Sequence, residues 1–143
     1  MAWNGPGKLT FIDDRMNADI YTDILKENLE PSAQLLRLND DFIFQHDNDL
    51  KHTAKKTKEY LSQKQVNILE WPAQSPDLNP IKHLCAILDR KIGDRSFRKK
   101  EELKRAVEKA WAEISQAETQ KLLESMKSRL KEVILAKGGP TKY

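Results

Sequence analysis

Cysteine is almost missing from this sequence: a single residue, Cys85, in 143. A lone thiol excludes a disulfide framework and fits a reducing compartment, the nucleus or the cytoplasm. Long apolar runs are missing as well. No stretch nears the roughly 18 apolar residues of a membrane helix, and the opening MAWNGPGK lacks a charged-then-apolar leader pattern. No period of about 20–50 residues recurs, which argues against a solenoid. Hydrophobic residues make up 38% of the chain, enough for the core of one modest domain spanning 1–143.

Charge is present in quantity and unevenly spread. Residues 1–50 hold 4 basic and 10 acidic side chains, a net of −6, whereas residues 51–143 hold 21 basic and 12 acidic ones, a net of +9. A basic second half can meet a phosphate backbone. Solvated helix faces would give the same composition.

The spacing of apolar residues predicts an α/β chain. KLTFI at 8–12 reads as a short strand after the turn-like NGPG. Asn17 caps a helix with Ile20, Tyr21, Ile24 and Leu25 on its apolar face, ended by Pro31. Phe42, Ile43 and Phe44 fit a buried central strand running to Asp47, and residues 52–62 a second helix. Val66, Ile68 and Leu69 suggest a third strand, stopped by Trp71-Pro72. WPAQSPDLNP then packs three prolines into ten residues, a stiff loop in which Asn79 caps a helix and Pro80 starts it. That helix buries Ile81, Leu84, Cys85 and Leu88 and stops near Gly93. Two more helices follow as a C-terminal pair. One starts near Ser96 and carries Leu103, Val107, Ala110, Trp111 and Ile114. The other carries Leu122, Leu123, Met126, Leu130, Val133 and Ile134 and is closed by Gly138 and Gly139. The expected sheet has about three strands flanked by helices.

Two segments can carry chemistry. In FQHDN (44–48), Asp47 falls at the C-terminal end of a strand, where α/β folds collect ligand groups. Its carboxylate can hold a hard cation such as Mg²⁺, or simply cap a turn. The stiff loop can fix the first turn of the following helix at little entropic cost, and the polar group there is Lys82. A plain connection with a surface lysine reads the same way. The basic residues Lys51, His52, Lys55, Arg98, Lys99, Lys100, Lys104 and Arg105 are candidates for phosphate contact or for solvated faces. His46, His52 and His83 show no metal spacing with Cys85, and Trp111 and Met126 read as core.

FQHDNDLKHTA, WPAQSPDLNPIKHL, GPGKL with MNADIY, and the closing AKGGPTKY together resemble the catalytic domain of mariner-like DNA transposases, over residues 3–143. These belong to the DDE superfamily. The resemblance implies an incomplete ribonuclease-H-like domain and an ancestral chemistry of metal-dependent DNA cleavage and strand transfer. In that family three acids grip two divalent ions. Asp47 matches the second acid. The third normally follows after 34 intervening residues, and 34 residues separate Asp47 from Lys82.

That departure reverses a charge. One unit pair about 4 Å apart at an effective dielectric of about 20 is worth roughly 4 kcal/mol, and a protonated lysine has no lone pair to give. The resemblance also places the first acid and a DNA-binding region upstream of Met1, so a truncated domain is expected. Cys85 stands where the family usually has tryptophan, and Leu50 where proline is common. Asp77 matches a loop aspartate that the family carries besides its triad. The expectation is an inactive transposase-derived protein in the nucleus, with no cofactor beyond residual Mg²⁺ or Mn²⁺. DNA is its expected partner, or a homodimer or protein partner covering an open sheet edge. The alternatives are a non-enzymatic interaction module, a subunit completed by upstream sequence, or a chain with no selected function.

Overall fold

The computed structural model describes residues 1–13, 15–72, 75–139 and 141. The chain divides into two compact units, one of Thr10–Gln74 and one of Met1–Leu9 with Ser75–Tyr143.

The first unit is built on α1 (Ala18–Leu35) and α2 (Lys55–Gln63), with β1 (Ile43–Phe44) and β2 (Asn67–Ile68) paired in parallel, Ile43 opposite Asn67 and Phe44 opposite Ile68. Asn17 caps α1 as expected, accepting from the Ile20 amide at 2.9 Å. Pro31 does not end this helix. It lies inside it, and the helix runs on to Leu35. The stop comes instead from Arg37 in the left-handed region (φ 52°), with Arg37 N donating to Gln34 O and Leu38 N to Ala33 O. Gln65 (φ 54°) ends α2 in the same way, through bonds to Ser62 O and from Val66 N to Leu61 O. The core is Tyr21, Leu25, Leu29, Tyr60 and Leu61, with Met16, Phe42, Phe44 and Val66 packed against it. Leu61 is fully buried.

Two expectations fail here. Residues 8–12 form no strand, so among the described residues the sheet has two strands rather than three. Nor is β1 a buried central strand: Ile43 is 65% exposed. A run of apolar residues states strand propensity, but whether both faces are covered depends on partners outside the run.

The second unit holds α3 (Pro80–Ile92), α4 (Lys100–Ala112), α5 (Gln116–Glu124) and α6 (Met126–Leu135). Asn79 caps α3, Pro80 opens it and Gly93 (φ 68°) closes it, as its sequence implies. Both α4 and α5 pack on α3, and α6 packs on α5. Cys85, expected to be packed, is exposed, while Leu84 beside it is fully buried. The final predicted helix is broken at Ser125 into α5 and α6, and Ser115 with Glu118 makes a full capping box at the start of α5. Leu130 and Ile134 are 48% and 74% exposed, and the residue of α6 that faces inward is Arg129. The end of α6 uses Lys137 (φ 50°) before Gly138 (φ 80°). Residues 1–9 join this unit through Trp111 Nε1, which donates to Gly7 O at 2.9 Å, and Thr119 Oγ1, which donates to Trp3 O at 3.5 Å. No helix among the described residues is long and apolar enough to cross a membrane.

Leu61→Ala should lower the unfolding free energy by about 2–5 kcal/mol, the usual cost of emptying a closed core site. Ile134→Ala should stay within about 0.5 kcal/mol. Urea denaturation of both variants checks the contrast.

Candidate functional site

Asp47 lies three residues past β1. The chain there is held to the segment after β2: Leu69 N donates to Phe44 O at 2.9 Å, and Asn48 Nδ2 to Trp71 O at 2.6 Å. These bonds prolong the parallel pairing and fix where the Asp47 backbone leaves the sheet.

The Asp47 carboxylate has local partners. Oδ1 accepts from the Asp49 amide at 3.2 Å and from His52 Nδ1 at 2.6 Å. His52 reaches back because residues 49–53 turn tightly, with the His52 and Thr53 amides both donating to Asp49 O. The ring of His52 lies against that of Tyr21, centroids 4.0 Å apart, and Tyr21 Oη bonds His46 Nδ1 at 3.2 Å. With Nδ1–H given to the carboxylate, His52 Nε2 is buried with no hydrogen-bond partner among the described residues. Burial, and then the Asp47 charge, push the Tyr21 hydroxyl far above its usual range, so it stays protonated. Burial, then His52, lower the His46 pKa below its ordinary 6.5, outweighing the opposing pull of Asp47. Tyr21 and His46 gave no signal in the sequence as members of this network: they sit 25 residues apart, brought together by packing.

Lys82 is exposed in the first turn of α3, and its amide donates to Asn79 O at 3.1 Å. Next to it, His83 Nδ1 lies 2.9 Å from Arg129 Nη1. Desolvation, and then the Arg129 charge, lower the His83 pKa. Asp77 is engaged on both oxygens: Oδ1 accepts from the Leu78 amide in its own loop and Oδ2 from Thr141 Oγ1 of the C-terminal tail. Ala73 and Gln74 of the proline-rich loop, and Pro140, Lys142 and Tyr143 of the tail, lie outside the described residues.

The candidate phosphate contacts fall in both units. Lys51 is partly buried and paired with Asp49, and Lys55 faces Glu59 at 3.7 Å. Arg98, Lys99, Lys100 and Arg105 are exposed at and near the start of α4, with Lys104 partly buried. Glu101 and Glu102 share the first turn of α4 with them, so the charge there is mixed.

A family model described as "DDE superfamily endonuclease" matches residues 2–104. The chain belongs to this superfamily. Among curated members, it is 43% identical over 138 residues to the transposable element Tcb1 transposase of Caenorhabditis briggsae, covering 96% of this chain and 50% of that one. Against the Tc1 transposase of Caenorhabditis elegans it is 37% identical over 137 residues, with the same coverages. The DDE chain therefore spans about half the length of the curated relatives it matches. Its fold is that of the Mos1 mariner transposase catalytic domain, with a TM-score of 0.80 at 23% identity over 91% of this chain and 66% of that one. It also matches the Mos1 transposase paired-end complex with left transposon end, with a TM-score of 0.85 over 98% of this chain and 42% of that one. At such identity the likeness concerns the fold.

A DDE superfamily fold implies divalent metal, and Mos1 catalytic domain structures carry Mg or Mn in their names. The described donors do not by themselves complete such a site. Among the described residues no group of three or more His, Cys, Asp or Glu side chains is arranged to hold an ion. Asp47 Oδ1 is already engaged by His52 and the Asp49 amide.

Both His46 and His83 have folded pKa values below their ordinary 6.5. Their contribution to stability is therefore present above that value and lost as pH falls through and below it, because the unfolded chain then binds more protons. The thermal midpoint should drop between about pH 7.5 and pH 5.5. His46→Gln and His83→Gln should each flatten that slope, and equal slopes in all three proteins would exclude this assignment.

Proposed function

We propose that this chain is a transposase-derived protein that has lost the two-metal chemistry of its superfamily and retains contact with DNA. The observation that carries this is Lys82. By spacing from Asp47 and by its setting after SPDLNPI, it occupies the place of the third acid. An ammonium there repels a dication and offers it no lone pair. The mismatch between the described carboxylates and a metal site supports the same reading.

DNA contact is supported by the basic group at the start of α4 and by the kinship with transposases, among which the Mos1 strand transfer complex shares this fold with a TM-score of 0.79. A nuclear location follows from that partner, and a fluorescent fusion would show it. Contact through phosphates alone is sequence-tolerant and falls steeply with salt.

Isothermal titration with Mn²⁺ tests the central point. The natural chain should bind none, and Lys82→Glu should bind where the natural chain does not. Metal-dependent nicking of supercoiled DNA by the natural chain, abolished in Asp47→Ala, would refute the proposal.

A second reading has its own observation. The parallel β1–β2 pair leaves Ile43, Ile68 and Leu69 exposed, at 65%, 40% and 39%. Such an edge suits strand addition by a protein partner or a second copy. Concentration-dependent elution on size-exclusion chromatography, reversed by Ile43→Lys, would favour it. An unchanging monomer would count against self-association.

A further inference from the structure

Arg129 is 2% exposed, the largest side chain in the molecule so fully buried. Burying a guanidinium costs several kcal/mol unless its N–H groups are met, so its placement calls for an account of what it holds. Three bonds supply one. Nε donates to Ser125 Oγ at 2.8 Å, which anchors the side chain on its own helix. Nη1 donates to the Asp77 carbonyl at 2.9 Å. Nη1 also meets His83 Nδ1 at 2.9 Å, with Nε2 farther off at 3.5 Å.

Asp77 and His83 bracket residue 82, five positions before it and one after. Between them the backbone has little freedom. Pro76 and Pro80 fix two φ angles and bias Ser75 and Asn79 toward extended geometry. Asn79 N donates to Pro76 O, and Asn79 Oδ1 caps the Ile81 amide. A segment this stiff is placed once its two ends are placed, and Arg129 grips both ends with one planar group. Both of these contacts come from Nη1 while Nε is held by Ser125, so a lysine would keep a donor but lose the Ser125 anchor that fixes it.

We propose that Arg129 is the positioning residue for residue 82, setting from α6 where the first turn of α3 presents its third side chain. The functional weight of that position rests on the reading of residue 82 given above. The anchoring itself does not. Because a guanidinium only donates, the Arg129 contact favours an unprotonated nitrogen on the near side of the His83 ring, and Nδ1 is the nearer of the two.

The test uses the full chain with Arg129→Gln, Arg129→Lys and His83→Leu. In ¹⁵N spectra the natural chain should show His83 as the Nε2–H tautomer, and Arg129→Gln should lose that preference. Amide exchange at Leu78, Asn79, Ile81 and Lys82 should speed up about tenfold in Arg129→Gln and by an intermediate factor in Arg129→Lys. Amides of α4 and of α2 should change by less than about twofold. His83→Leu leaves the carbonyl bond in place and should loosen only the first turn of α3, which keeps the proposal testable if the Arg129 variants fail to fold. Unchanged exchange in 78–82, a uniform rise across α3 to α6, or an unaltered His83 tautomer would overturn it. In the Lys82→Glu background, Arg129→Lys should weaken Mn²⁺ binding about tenfold, as for other supporting residues of metal sites. If Lys82→Glu binds no Mn²⁺ at all, the reading of residue 82 fails, and the tautomer and exchange results still decide the role of Arg129.

Discussion

A guanidinium removed from water must have its donors answered nearby, and in the unit formed by residues 1–9 and 75–143 that demand fixes the architecture. Arg129 is buried where the Asp77 carbonyl, the His83 ring and Ser125 Oγ meet its donors. Satisfying one cation therefore sets the height of the proline-rich loop, the start of α3 and the rotation of α6. The exposure of Leu130 and Ile134 follows from that rotation.

In the other unit an anion plays the comparable part. Asp47 draws in the His52 ring, which lies against Tyr21, and Tyr21 in turn engages His46. The carboxylate is thus held in place by the protein's own donors. A dication would have to compete with a 2.6 Å hydrogen bond for Oδ1. Phosphate binding and phosphate cleavage call for different groups.

Local chemistry was the legible part of the sequence. Asn17, the Asn79–Pro80 pair and Gly93 act as their side chains dictate, because a cap is decided within four residues. Asp47 could be singled out from its place after an apolar run, and the family motif singled out Lys82. The unread parts depend on distant residues. Arg37, Gln65 and Lys137 adopt left-handed backbone without being glycine, paid for by the carbonyls they satisfy. Pro31 sits inside α1 because a single lost amide bond is tolerable in a helix held by a packed face. Residues 8–12 have strand composition yet form no strand. The inward turn of Arg129 and the Tyr21–His46 contact were invisible for the same reason: each joins residues at least 25 positions apart. The Ser115–Glu118 capping box was written plainly as S-x-x-E and was there to be read.

Residues 1–9 belong with the second unit, tied to Trp111 and Thr119 across 104 and 116 positions. During synthesis residues 1–9 leave the ribosome before Thr10–Gln74, whereas their partners Trp111 and Thr119 emerge after it. The intervening Thr10–Gln74 unit can complete its own contacts in the meantime. Residues 1–9 are thus stitched in after the unit that follows them in the chain, and until then the Trp111 indole N–H lacks the Gly7 carbonyl.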